Sequence, residues 1–244
     1  MMINEYLEEM KNIQENILYY LDEESNIEEK YQTLKTRFND IQIHSNKYKI
    51  SSLMHLLLHL SNNHHREENF FNKIEEILKL FKKDLPKHYS NSELFNIFKG
   101  NKRILLFLVE EKVINFDEFV VSRIMEGKYF QYKYPQYFQP EIKPLINEKW
   151  FLELFSNFQF EDLLKELPVD FYEKRKIGEH EEEICKMIQK DLIEEFIIYV
   201  NKNCYPLNSV IEQSIYETNK FLLRNQRNEL IEYAAFFGSI QIFK

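Results

Sequence analysis

The stretch Leu230-Ile231-Glu232-Tyr233-Ala234-Ala235-Phe236-Phe237-Gly238-Ser239-Ile240-Gln241-Ile242-Phe243 decides how the chain is read. Ala234 and Ala235 are the only alanines in 244 residues, and one of just four glycines follows three positions later. A composition that avoids small residues elsewhere has placed three of them together. Small side chains let a helix approach its neighbour closely, and a glycine past the helix end supplies a left-handed turn into a second helix. The stretch therefore predicts two short helices joined at Gly238, with Ala234 and Ala235 at a close contact. The plainer alternative is a helix that happens to end at a glycine.

Outward from this stretch, helical periodicity dominates. Residues 3–21 place Ile3, Tyr6, Leu7, Met10, Ile13, Ile17, Leu18 and Leu21 at steps of mostly three and four, opposite Glu8, Glu9, Lys11 and Glu15. That spacing predicts an amphipathic helix. A second runs through Ile27, Tyr31, Leu34, Phe38 and Ile41, a third covers 47–60, and a fourth opens at Asn69 and ends before Pro86. From Ser92 the helices shorten and pair, 92–98 with 102–112 and 182–189 with 191–201, as in solenoid repeats. Gly100 is followed by Ile104, Leu105, Leu108 and Val109, and Asp191 by Phe196, Ile197, Val200 and Asn208, which reads as degenerate copies of one unit. Between the pairs, residues 128–150 carry Pro135, Pro140 and Pro144 among seven aromatic residues. The prolines forbid one continuous helix. This stretch is read as a linker whose rings cover the core, in preference to an aromatic binding surface.

Residues 230–243 resemble an ankyrin repeat, whose pattern runs Thr-Pro-Leu-His, Ala-Ala, Gly and Val-Val. The likeness is good from the alanines onward; Glu229, Leu230, Ile231 and Glu232 stand where Thr, Pro, Leu and His would be, so only the Leu position is matched in kind. Taken with Ser61-Asn62-Asn63-His64-His65, residues 96–112, Lys133-Tyr134-Pro135-Gln136-Tyr137-Phe138, Glu148-Lys149-Trp150 and residues 190–201, nearly the whole chain resembles the N-terminal region of ankyrin-repeat proteins expanded in parasitic flagellate protists. The resemblance implies an all-helical domain placed before a long ankyrin array, with no catalytic residues to carry over.

Composition narrows the function classes. A net charge of −8 and a pI near 5.5 disfavour phosphate backbones and anionic membranes as partners. The closest two glycines, Gly100 and Gly127, lie 27 positions apart, which excludes the dinucleotide fingerprint and the P-loop. With only Cys185 and Cys204, neither a disulfide framework nor a Cys-rich zinc site can be built, and the acidic, amphipathic start lacks a signal-peptide pattern. A cytoplasmic protein without a membrane span is expected.

The histidines make the best case for chemistry. His55 and His59 are four apart on one predicted helix, and His64 and His65 follow near Glu67 and Glu68, a concentration of ligand types that zinc would suit. Against it, Ser52, His55, His59 and Asn62 form the polar stripe of a Leu-rich helix, and His-Glu-x-x-His is absent. Cys185 and His180 offer a nucleophile and a base on paper, without a strand-to-helix turn to present them.

The sequence thus predicts an all-α protein: an N-terminal helical bundle over 1–90, degenerate ankyrin-like helix pairs over 91–227 forming an α-solenoid with the linker at 128–150, and the start of a true repeat at 228–244 defined by Ala234, Ala235 and Gly238. The expected function is a non-catalytic protein–protein interaction module that caps an ankyrin array, with no cofactor, no nucleic acid and an unknown protein partner. The repeat is expected to be cut short, leaving Phe236, Phe237, Ile240, Ile242 and Phe243 uncovered and favouring self-association through the C-terminal end. The alternative is a metal-dependent hydrolase built on His55, His59, His64 and His65.

Overall fold

The computed structural model describes residues 2–22, 25–62, 69–156, 160–224 and 227–243. Helix accounts for 69% of the chain, and the strands among the described residues are two dipeptides, so the protein is all-α. No described helix is long and apolar enough to cross a membrane. The chain divides into two compact units, 1–97 and 98–244, the division falling inside the helix Asn91–Phe98.

The first unit contains the four helices expected from periodicity, Met2–Leu21, Ile27–Asp40, Lys47–Ser61 and Phe70–Leu80, followed by a single turn at Leu85–His88. Asn46 starts the third helix by accepting from the backbone N–H groups of Tyr48 (3.0 Å) and Lys49 (3.2 Å), which would otherwise be orphaned. The apolar stripes turn inward: Ile13, Ile17, Tyr20, Leu34, Phe38, Leu53, Met54, Ile74 and Ile77 are buried. Lys73 is buried too, and its ammonium donates to the Leu21 carbonyl at the end of the first helix.

The second unit is built around Lys102–Glu110, in which every residue from Lys102 to Leu108 is buried. A helix covered all round belongs to an interior. Its buried cap, Asn101, accepts from Arg103 N–H (3.0 Å) and Ile104 N–H (3.1 Å). Lys102 reaches past its own helix, donating to the carbonyls of Tyr132 (3.1 Å) and Ile215 (2.7 Å) beside the rings of Tyr134 and Tyr137.

Residues 128–150, read as a linker, are a run of short helices. Pro135, Pro140 and Pro144 each lie in the first turn of their own element, Tyr134–Tyr137, Gln139–Ile142 and Lys143–Leu145, where a missing N–H costs nothing. The central rings do cover core, since Tyr134, Tyr137 and Phe138 are buried. Hydrogen bonds pin the run to the helix Phe171–Ile177: the Tyr137 hydroxyl donates to the Arg175 carbonyl (2.8 Å), and the buried Arg175 guanidinium donates to the Tyr137 carbonyl (3.2 Å) and to both Glu141 oxygens (3.0 and 2.7 Å). Gly178 then turns the chain with φ 75°, and a Cβ there would meet Arg103 and Thr218 side-chain carbons at 3.3 Å.

Candidate functional site: two stacked helix pairs

The last quarter of the chain holds two helix pairs with the same turn. In the first, Glu183–Gln189 leads to Ile193–Asn203 through Asp191 at φ 54°; in the second, Leu230–Phe237 leads to Ile240–Phe243 through Gly238 at φ 61°. The hydrogen bonds of the turns correspond atom for atom. Leu192 N–H donates to the Met187 carbonyl (3.0 Å) and Asp191 N–H to that of Ile188 (3.0 Å), while Ser239 N–H donates to the Ala234 carbonyl (2.9 Å) and Gly238 N–H to that of Ala235 (3.1 Å). This is the Schellman arrangement. Helix starts and turn residues are all 47 positions apart: 183 and 230, 191 and 238, 193 and 240.

The pairs stack first helix on first and second on second. Ser239 donates its hydroxyl to the Ile188 carbonyl, and the Asp191 carboxylate accepts the N–H groups of Gln241 (3.2 and 3.3 Å) and Ile242 (3.2 Å). The turn of one pair thus caps the second helix of the next. Between them lies a core of Ile184, Cys185, Ile188, Phe196, Ile211, Leu222, Leu230, Tyr233 and Ala234. Glu229 and Glu232 form a reciprocal capping box at the start of Leu230–Phe237. Just before it, Val210–Ile211 pairs antiparallel with Asn228–Glu229, a contact too short to leave a period-two signal in the sequence.

Equivalent positions differ in burial. Ile184 is 0% exposed and its counterpart Ile231 is 54% exposed; Phe196 is 7% exposed and its counterpart Phe243 is 54% exposed. Ile240 is exposed as expected, whereas Phe236, Phe237 and Ile242 are half-buried. Gly238 is left-handed as expected. The expectation of close packing at both alanines is corrected: Ala234 is buried, but Ala235 is exposed. On a helix covered from one side, adjacent positions point 100° apart, so one alanine takes the contact and the other faces outward.

Of the histidine set, His55 and His59 lie on exposed positions of Lys47–Ser61, while His64 and His65 lie outside the described residues, as do Glu67 and Glu68. A different group comes together instead. His180, Glu182 and Cys185, at the start of the first pair, bring one ligand atom each within 4.8 Å of the others. The readable signal was His-x-Glu-x-x-Cys on a loop running into a helix. Burial, reinforced by Glu182, Glu217 and Glu181, pushes the Cys185 thiol well up, which disfavours a thiolate nucleophile. Deeper in the unit, burial pushes Glu217 up to about 7 and Lys102 down to about 7, each opposed by the other's charge. Both are enclosed structural groups: Glu217 accepts from Asn219 N–H (2.6 Å), and the Lys102 ammonium is spent on two carbonyls.

No protein-family model, curated protein or solved structure matches the chain.

Proposed function

We propose that the chain is a non-catalytic protein–protein interaction module whose last two helix pairs are successive units of an ankyrin-like stack, with the helices before them acting as a cap. The observation that carries this reading is the difference in burial across the 47-residue register. Ile184 and Phe196 lie in the core shared with the following pair, and Ile231 and Phe243, at the equivalent positions 47 residues on, are uncovered. Each unit of a stacked array exposes apolar surface until a neighbour closes it. Ala235 fits the same account, since a small residue on the open side leaves room for another helix. The partner on this face is then a protein presenting an apolar helical surface, of which a further repeat is the simplest kind.

The test is a chimera in which consensus ankyrin repeats follow residue 243 in the register of the two pairs. Stacking predicts one cooperative unfolding transition, with a midpoint above that of the original chain. Two independent transitions at the midpoints of the separate parts would refute it. Light scattering of the original chain gives a second reading: concentration-dependent association is expected, and replacing Ile231 and Phe243 with Lys should abolish it.

A further inference from the structure

We infer that His180, Glu182 and Cys185 form a binding site for one zinc ion, held by His180 Nδ1, a Glu182 carboxylate oxygen and Cys185 Sγ, with the fourth position open to water. The set mixes nitrogen, oxygen and sulfur donors, all of which zinc accepts. A tetrahedral zinc shell, with bonds of about 2.0 to 2.3 Å, spaces its ligands about 3.3 to 3.6 Å apart. The three atoms already lie within 4.8 Å of one another, so small side-chain rotations close the shell.

Two further observations point to a ligand here. His180 is buried, and its Nε2–H donates to the Glu212 carbonyl at 2.8 Å, which fixes the tautomer and leaves Nδ1 as the ring nitrogen that carries a lone pair. A ring nitrogen tied to a backbone carbonyl is the usual support of a metal-ligating imidazole. Without an ion Nδ1 accepts a hydrogen bond from Glu182 N–H at 3.2 Å, a contact that the metal would displace. Second, the Tyr233 hydroxyl is buried on a ring 1% exposed, and the only hydrogen-bonding neighbour it has among the described residues is the Cys185 sulfur, a weak partner held outside normal geometry. A buried hydroxyl so weakly paired is costly, and a metal-bound water at the open position would satisfy it. Glu181 completes an acidic surround: its carboxylate is 3.8 Å from His180 Nδ1 and accepts from Ser214. Glu182 is only half-buried, which gives an ion a way in. His180 and Glu182 precede the first pair and Tyr233 belongs to the second, so the ion would tie the stack together without taking part in catalysis.

The experiment titrates chelator-stripped full-length protein with zinc chloride by calorimetry, and with cobalt(II) by absorption. The expected result is one equivalent of either metal, with a thiolate-to-cobalt charge-transfer band. Cys185→Ser should remove that band and weaken zinc binding about 100-fold, and Glu182→Gln should weaken it about tenfold. Cys204→Ser and the double variant His55→Ala, His59→Ala should bind as wild type. Absence of stoichiometric binding, a cobalt complex without the thiolate band, or loss of binding in the Cys204 or His55/His59 variants would overturn the assignment. Should Cys185→Ser fail to fold, the wild-type cobalt spectrum and Glu182→Gln decide.

Discussion

Asp191 makes two contributions through one side chain, and three substitutions separate them. The residue holds a left-handed backbone at φ 54°, and its carboxylate accepts three hydrogen bonds from Gln241 and Ile242 in the neighbouring pair. Alanine loses both features. A left-handed residue with a plain Cβ costs about 1 to 2 kcal/mol, a strain that Asp and Asn tolerate better, and losing a helix cap costs about 1 kcal/mol. Asp191→Ala should therefore destabilise by about 2 to 3 kcal/mol. Asp191→Gly loses the acceptors but relieves the backbone, for a net cost of about 1 kcal/mol. Asp191→Asn keeps the backbone tolerance and one acceptor oxygen, for about 0.5 kcal/mol. Urea unfolding at constant m-value reads all three. If glycine proved as damaging as alanine, or alanine stayed within about 0.5 kcal/mol of wild type, then either the left-handed turn or the cap across the pairs is energetically empty.

Ala234→Leu should overpack the buried contact and cost about 1 to 3 kcal/mol, while Ala235→Leu, on the open face, should stay within about 0.5 kcal/mol; equal thermal midpoints would contradict the assignment of faces. Gly178→Ala should cost more than Gly127→Ala, because both are left-handed but only at Gly178 does a Cβ meet neighbouring carbons at 3.3 Å. Chemical denaturation of the two variants makes the comparison. The raised Glu217 binds its proton more tightly folded than unfolded, so its contribution is full below pH 4.5 and is lost as pH rises through about 7. The depressed Lys102 works oppositely, with a contribution present above pH 10.5 and lost as pH falls through about 7. Stability from this pair should be lowest near neutral pH, and Glu217→Gln should match wild type at pH 4.5 and surpass it at pH 8; a gap independent of pH would refute the coupling.

The four helices of the first unit were legible because each has a long apolar stripe, and Asn46 and Asn69 sit where those stripes begin. The 47-residue register was not, because it is written in backbone hydrogen bonds and burial. Asp191 stands for Gly238, and Met187 and Ile188 stand for Ala234 and Ala235, so a comparison of residue types finds little. The alanines did locate a helix pair, but a residue type cannot say which of two neighbours faces the contact. In residues 128–150 the prolines correctly ruled out a long helix, yet the same prolines are good first-turn residues, and only tertiary partners such as Arg175 decide between loop and short helices. His180 and Cys185 came together because a helix begins at Glu183 between them, which brings residues five apart onto one side of a turn.

The Lys102 ammonium has a consequence for biosynthesis. One of its two carbonyl partners, Ile215, lies 113 residues further along the chain. At about 5 to 20 residues per second, a ribosome needs roughly 6 to 23 seconds to travel from one to the other. Throughout that interval the charge has to remain hydrated, and the helix that carries it, buried from Lys102 to Leu108 in the finished fold, has no complete surrounding. The second unit therefore closes late, once its C-terminal third has emerged, and until then presents its stickiest segment to chaperones.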